Sequence, residues 1–305
     1  MPPAASAVVL VLTVSPGYEE DVKDALTDVN GIIRAVRFRA PEAHLTAVIG
    51  LSSALWDRLF PDLRKPAGLH PFVPLDGGRH QAPATPGDIA IHVRCHRQDM
   101  SFELARRLRE RLGEAVQVVF EVNGFRYFDE RDLLGFVDGT ESPIGGEADR
   151  VVFVGEEDPG YKGGSYLVLQ KYLHDLAAWN ALTVEQQESA IGRHKLDDIE
   201  IPDDDKAPDA HARLTSISDA DGNDRKIVRE NMPFGSIAEN EMGTCFIGYC
   251  ATPDTIEVML RNMFLGDPPG TYDRILDFST AVSGGLFFVP TADFLDDPSV
   301  APAAS

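Results

Sequence analysis

AVVLVLTV, residues 7–14, is apolar and rich in β-branched side chains, and Pro16-Gly17 ends it, so it reads as a buried strand. Outward from it, residues 18–29 place Val22, Ala25, Leu26 and Val29 at helical spacing. Residues 31–39 and 44–50 read as two strands joined at Ala40-Pro41, and 51–59 as a short helix. The Pro- and Gly-rich stretch 61–87 reads as a long loop. A strand at 88–96, an arginine-rich amphipathic helix at 101–112 and a strand at 115–122 complete the first half.

The second half repeats this order. Strands are expected at 166–172, 226–231 and 243–252, with helical segments at 175–192 and 255–264; Pro253-Asp254 is the start signal of the latter. GLFFVP, 285–290, is a last strand. Both halves read strand, helix, strand, strand, helix, strand, with one extra strand in the first. The order predicts an α+β fold of two ferredoxin-like units, each an antiparallel sheet with helices on one face. The chain divides as 1–125 and 126–305. The stretch 126–165 is rich in Gly, Asp and Pro, and so long a loop in a compact domain is usually functional.

The 305 residues are 43% hydrophobic and 25% charged, which fits a globular chain with a core large enough to enclose a cofactor. The formal net charge of −21 repels phosphate backbones and anionic membranes, so neither nucleic acid nor a membrane surface is an expected partner. Three cysteines, Cys95, Cys245 and Cys250, form no CxxC pair and no disulfide framework, which suits a reducing compartment. The first residues, MPPAASAVVLVLTV, carry no basic residue before the apolar run, unlike a secretory signal, and the run is too short to span a membrane. The expected location is cytoplasmic.

Three places could carry chemistry. In LLGFVDGTESPIG, 133–145, Asp138 stands among Phe136, Val137, Gly135 and Gly139. Glycine lets backbone approach a bulky ligand, although an aspartate here could equally cap a turn. His211 follows the acidic loop 196–209; it is one of eight histidines, and a lone histidine is either a metal ligand or structural. His92 and His96 sit four apart near Cys95 without a third ligand, and read as packing. In RKIVRENMPFG, 225–235, Arg229 and Asn231 share a strand face, with Pro233 ending the strand. Together they could hold an anionic or polar oxygen species, or Arg229 could pair with one of the many surface acids. There is no GxGxxG after a strand, GxxxxGK[ST], HExxH or GxSxG.

The ordered set of GFVDGT (135–140), His211, and Arg229 with Asn231 resembles the dye-decolourising peroxidases, in their bacterial B-type branch. The likeness runs from the first strand to YDRILDFSTAVSGGLFFVP, 272–290. It implies two ferredoxin-like domains with one haem b per chain, bound mainly in the C-terminal unit. It implies His211 as proximal iron ligand and Asp138, Arg229 and Asn231 as distal residues. Gly139 and Thr140 are implied as cofactor contacts. Asp273 is implied as the proximal carboxylate, with Asp277 four residues on as the alternative.

The implied activity is reduction of hydrogen peroxide through a ferryl intermediate, coupled to oxidation of dyes, phenolics or another small reducing molecule. Mn²⁺ is a further candidate donor, since it prefers oxygen ligands and the surface is acidic. The other class of function is haem handling (storage, delivery or iron release) without turnover, which would not need Asp138 and Arg229 together. Trp179, Tyr166, Tyr172 and Tyr249 are candidate surface relays for large donors. The resemblance also implies a homo-oligomer. It makes encapsulin a possible partner, although no docking tail is seen in DDPSVAPAAS, 296–305.

Overall fold

The computed structural model describes residues 4–303; residues 1–3 and 304–305, including the end of the DDPSVAPAAS segment, lie outside the described residues. Apolar β-branched runs form the strands of the first unit: β1 Ser6–Val14, β2 Thr46–Ser52, β3 Ile89–Cys95 and β4 Val116–Phe125. Helices α1 Glu19–Arg37, α2 Ser53–Leu59 and α3 Gln98–Leu112 accompany them. The second unit has β5 Ser165–His174, α4 Leu176–Asn180, α5 Val184–Ile191, α6 His211–Thr215, β6 Val228–Arg229, β7 Met232–Ser236, β8 Glu241–Cys250, α7 Asp254–Leu265, β9 Ser279–Ala281 and β10 Gly285–Val289.

The main-sheet order is β6-β8-β5-β10-β2-β3-β1-β4, with β7 added beside β8 and β9 beside β5. Each half therefore runs second, third, first, fourth, the ferredoxin-like order. All pairings in the main sheet are antiparallel. The halves fuse where β10 pairs with β2, Phe287 opposite Ser52 and Phe288 opposite Leu51.

Alternation along the strands divides the core in two. Val8, Leu10, Leu12, Val168 and Phe288 pack towards the helices with Leu26, Leu104 and Leu260. The opposite parity, Val9, Val11, Leu169, Ile247 and Phe287, forms a second cluster between the two halves of the curled sheet. Its ends approach closely at β4 and β7: a Cβ on Gly124 would lie 2.5 Å from that of Met232.

Three local expectations need correction. Residues 31–39 form no strand, because α1 continues to Arg37. The helical spacing extends through Ile32, Ile33 and Val36, and one interior glycine, Gly31, costs a helix only about 1 kcal/mol. Without a strand at 31–39, each unit contributes four strands to the main path of the sheet. The helical stretch 175–192 is two helices, α5 restarting at a Thr183–Gln186 capping box. The strand expected at 226–231 shrinks to β6, and Pro233 lies inside β7 instead of ending a strand. Proline is tolerated there because β7 pairs on one side only.

Phe287 is 2% exposed and sits in the cluster between the halves. Phe287→Ala should cost about 3–5 kcal/mol, read as a lower denaturant midpoint. A midpoint equal to that of the parent chain would contradict this packing.

Candidate active site

His211 opens α6, and its Nδ1 donates to Asp273 Oδ2 at 2.6 Å. Asp273 is fully buried; Oδ1 accepts from Ile275 N at 3.0 Å and caps the 3₁₀ turn Arg274–Asp277. The His211 side chain is 25% exposed. Its Nε2 has no hydrogen-bond partner among the described residues. Asp277 is engaged elsewhere: Oδ1 accepts from His80 Nε2 at 3.0 Å and from the Tyr272 hydroxyl at 3.2 Å, and Arg79 lies 3.0 Å away. The carboxylate beside His211 is thus Asp273.

The second group assembles on the GFVDGT loop. Asn231 Nδ2 donates to Asp138 Oδ1 at 3.3 Å, while Asn231 Oδ1 accepts Ile247 N–H at 3.2 Å. That second bond orients the amide, because Oδ1 takes a backbone donor from β8 and Nδ2 is left to face the loop. Arg229 N donates to Ser142 Oγ at 3.3 Å, which ties β6 to the same loop. The half-buried Arg229 guanidinium has no ion-pair or hydrogen-bond partner among the described residues, so it does not join a surface acid. Arg229 and Asn231 point to one face, because Val228 and Met232, of the opposite parity, join the inner cluster.

A small apolar cluster brings these parts together. Leu134 and Phe136 of the loop pack on Trp179, Ala190 and Ile191, with Ile275 and Phe278 against them. Trp179 Nε1 donates to Leu134 O at 2.9 Å. Gly139 has φ +85° and open space where a Cβ would stand. Thr140 is exposed and its hydroxyl donates to Asp198 Oδ2, tethering the loop to the acidic segment. Arg193 extends the tether, lying 3.0 Å from Glu141 and 2.9 Å from Asp198.

Two other histidines, His92 and His174, are buried and held by hydrogen bonds. His92 Nδ1 meets the Tyr249 hydroxyl at 2.8 Å, and burial pushes its pKa down to about 3. His174 bridges Ser279 and Thr244, and burial pushes it down to about 4. Among the described residues no group of three or more His, Cys, Asp or Glu could hold a metal ion. The relay candidates are corrected: Trp179, Tyr166, Tyr172 and Tyr249 are at most 9% exposed, so none of them offers a surface entry point.

The residues present fit haem. A histidine with one nitrogen held by a buried carboxylate leaves the other for iron, the arrangement that strengthens such a ligand. An unpaired guanidinium and an oriented amide supply donors to an oxygen species.

The chain matches two family models, "Dyp-type peroxidase, N-terminal" over residues 2–126 and "Dyp-type peroxidase, C-terminal" over 129–294. A dye-decolorizing peroxidase of Brevibacterium linens is 58% identical over 97% of this chain and 81% of its own length. The encapsulated DyP-type peroxidase of Mycobacterium smegmatis, solved by cryo-EM, superposes with TM-score 0.96 at 55% identity, covering 98% of this chain and 96% of that one. A DypB variant of Rhodococcus jostii RHA1 in complex with heme superposes with TM-score 0.95 at 50% identity, covering 97% and 96%. The chain belongs to the Dyp-type peroxidase family. It is a haem peroxidase, an oxidoreductase of the dye-decolourising kind, with B-type relatives.

Asp132 was not singled out from sequence, although its place six residues before Asp138, with Gly135 between, is a turn signal. Its Oδ1 accepts from Leu134 N and Phe136 N, both at 3.0 Å, holding the start of the loop. Burial, with the charge of Asp138 adding, pushes its carboxyl up from 3.8 to about 7, against the backbone N–H bonds. Below about pH 4 the group is protonated in both folded and unfolded chains and contributes nothing. Between there and about pH 7 only the unfolded chain ionises, so this group lowers stability as pH rises, levelling above. Asp132→Asn, which can still accept both N–H groups, should flatten the fall in holoprotein Tm over that range. An unchanged slope would contradict the assignment.

Proposed function

We propose that peroxide chemistry runs between two fixtures of the C-terminal unit, His211 with Asp273 on one side and Asp138, Arg229 and Asn231 on the other. The observation that carries this is the commitment of His211 Nδ1 to buried Asp273 at 2.6 Å, which leaves Nε2 alone for a metal. Haem b, one per chain, supplies when bound an iron that takes two oxidising equivalents from peroxide and passes them to a donor.

Asp138 takes the first peroxide proton and returns it to the departing oxygen. Arg229 stabilises the negative charge on that oxygen, and its preorganised charge needs no reorganisation at the moment of reaction. Asn231 holds Asp138 with one amide hydrogen and keeps the other for a water or peroxide oxygen. Asp273 keeps the His211 ring turned for ligation. Gly139 lets the loop backbone approach the cofactor, and Thr140, as a neighbouring contact, anchors that backbone through Asp198.

The domains in this reading are 1–125 and 126–305, the second holding the GFVDGT loop and the haem site; the family-model spans support the division. The partners are hydrogen peroxide and a small reducing molecule such as a dye or phenol, with Mn²⁺ as a further donor for so acidic a chain. A homo-oligomer is the assembly proposed, and encapsulin enters as a candidate partner by analogy with the encapsulated M. smegmatis relative. A cytoplasmic setting agrees with three free, buried cysteines. No helix among the described residues is long and apolar enough to cross a membrane.

Stopped-flow mixing with peroxide, on variants holding one haem per chain, tests the roles. Arg229→Ala should slow the first spectral change by about 10²–10³. Asp138→Ala should slow it less, because a water held by Arg229 and Asn231 can carry the proton although general acid–base groups contribute about 10²–10⁴. A larger loss in Asp138→Ala reverses the ranking, and no loss in either refutes the distal assignment.

A further inference from the structure

β3 sends two alternate side chains, His92 and Arg94, towards the C-terminal half of the sheet. Arg94 NH1 meets Glu230 Oε1 at 2.5 Å, with the side chains 13% and 18% exposed. His92 Nδ1 meets the buried Tyr249 hydroxyl at 2.8 Å. Tyr249 is the cross-strand partner of Val228, and Glu230 N donates to Ile247 O at 2.9 Å. The two contacts thus bracket Arg229, one on the following residue and one on the partner of the preceding residue.

The ladder is thin at this point. β6 is two residues long, and Ile247 N–H is accepted by the Asn231 side chain. Between the Arg229–Gly248 and Met232–Cys245 pairs, the Glu230 N–H to Ile247 O bond is the backbone hydrogen bond that supports the step from Arg229 to Asn231 among the described residues. Strand parity sends Glu230 towards the N-terminal unit because Arg229 and Asn231 face the other way.

We propose that the N-terminal unit is a positioning platform for the distal segment, with Arg94–Glu230 and His92–Tyr249 holding Arg229 and Asn231 in place against Asp138. The inference rests on the roles given above to Arg229 and Asn231, and it assigns a task to a unit that holds none of the site residues. Desolvating an ion pair is costly, and a buried pair is weak as a stability device, so a pair kept at this point is better accounted for by what it positions. Burial raises the Glu230 carboxyl and Arg94 opposes that shift. His92, pushed down to about 3 by burial, stays neutral, so its bond to Tyr249 persists across the neutral range.

The test uses holoprotein with one haem per chain, and reads the peroxide rate constant, the donor-dependent rate and the affinity for cyanide. Misplacing a reacting group by about 1 Å costs on the order of 10² in rate. Glu230→Ala is therefore expected to lower the peroxide rate constant about 10–100-fold and to weaken cyanide binding, leaving the donor-dependent rate unchanged. Glu230→Gln, which can still accept from Arg94, should recover most of the loss. Tyr249→Phe deletes one hydroxyl, and keeps the test decisive if Glu230→Ala does not fold: a slower peroxide step supports the platform and an unchanged one overturns it. Arg229→Ala is the control. If it is slow while Glu230→Ala is not, the platform alone is overturned; if it is unimpaired, the distal reading falls as well.

Discussion

Successive side chains of a strand point to opposite faces, and the C-terminal sheet uses both. Its inner parity, with Leu169, Ile247 and Tyr249, closes against the N-terminal half. Its outer parity, with Val168 and Tyr172, meets the helices, and Arg229 and Asn231 project to that face. A slip of one residue at β6 would send Arg229 into the apolar interior and Glu230 to the site. The strand pairing from β6 through β8 and β5 to β10 therefore has to be correct before any chemistry can be placed.

The site adds two commitments to that frame. His211 gives one ring nitrogen to Asp273, and Asp273 is itself held by the turn that it caps. Asn231 gives its oxygen to the β8 backbone, and only then is its nitrogen directed at Asp138. In each case a polar group satisfied on one side is oriented on the other. Trp179 and the loop residues Leu134 and Phe136 pack both assemblies into one body. A loop that looks irregular in sequence is therefore held by a small core of its own.

Much of this was legible in the sequence because it depends on local pattern. β-Branched runs marked β1 and β3, Leu- and aromatic-rich runs marked β5 and β10, and the repeated order pointed to two ferredoxin-like units. Residues 31–39 misled because β-propensity at Ile32, Ile33 and Val36 competes with helical spacing, and packing against the sheet decides in favour of the helix. Asp273 and Asp277 could not be separated by spacing. Burial of Asp273 and its turn-capping bond separate them, and only the cap leaves a trace in sequence. Arg94 and Glu230, 136 residues apart, meet only through sheet curvature, which no local pattern reports.

The ligation of the cofactor by His211 is the claim on which the functional account turns. It is tested most directly by the absorption spectrum of His211→Gly, purified with haem and then titrated with free imidazole. The account predicts that haem content falls or the Soret band shifts, and that imidazole, filling the space of the lost ring, restores the parent spectrum. A His211→Gly protein that keeps its full haem content and an unshifted Soret band without imidazole would contradict it.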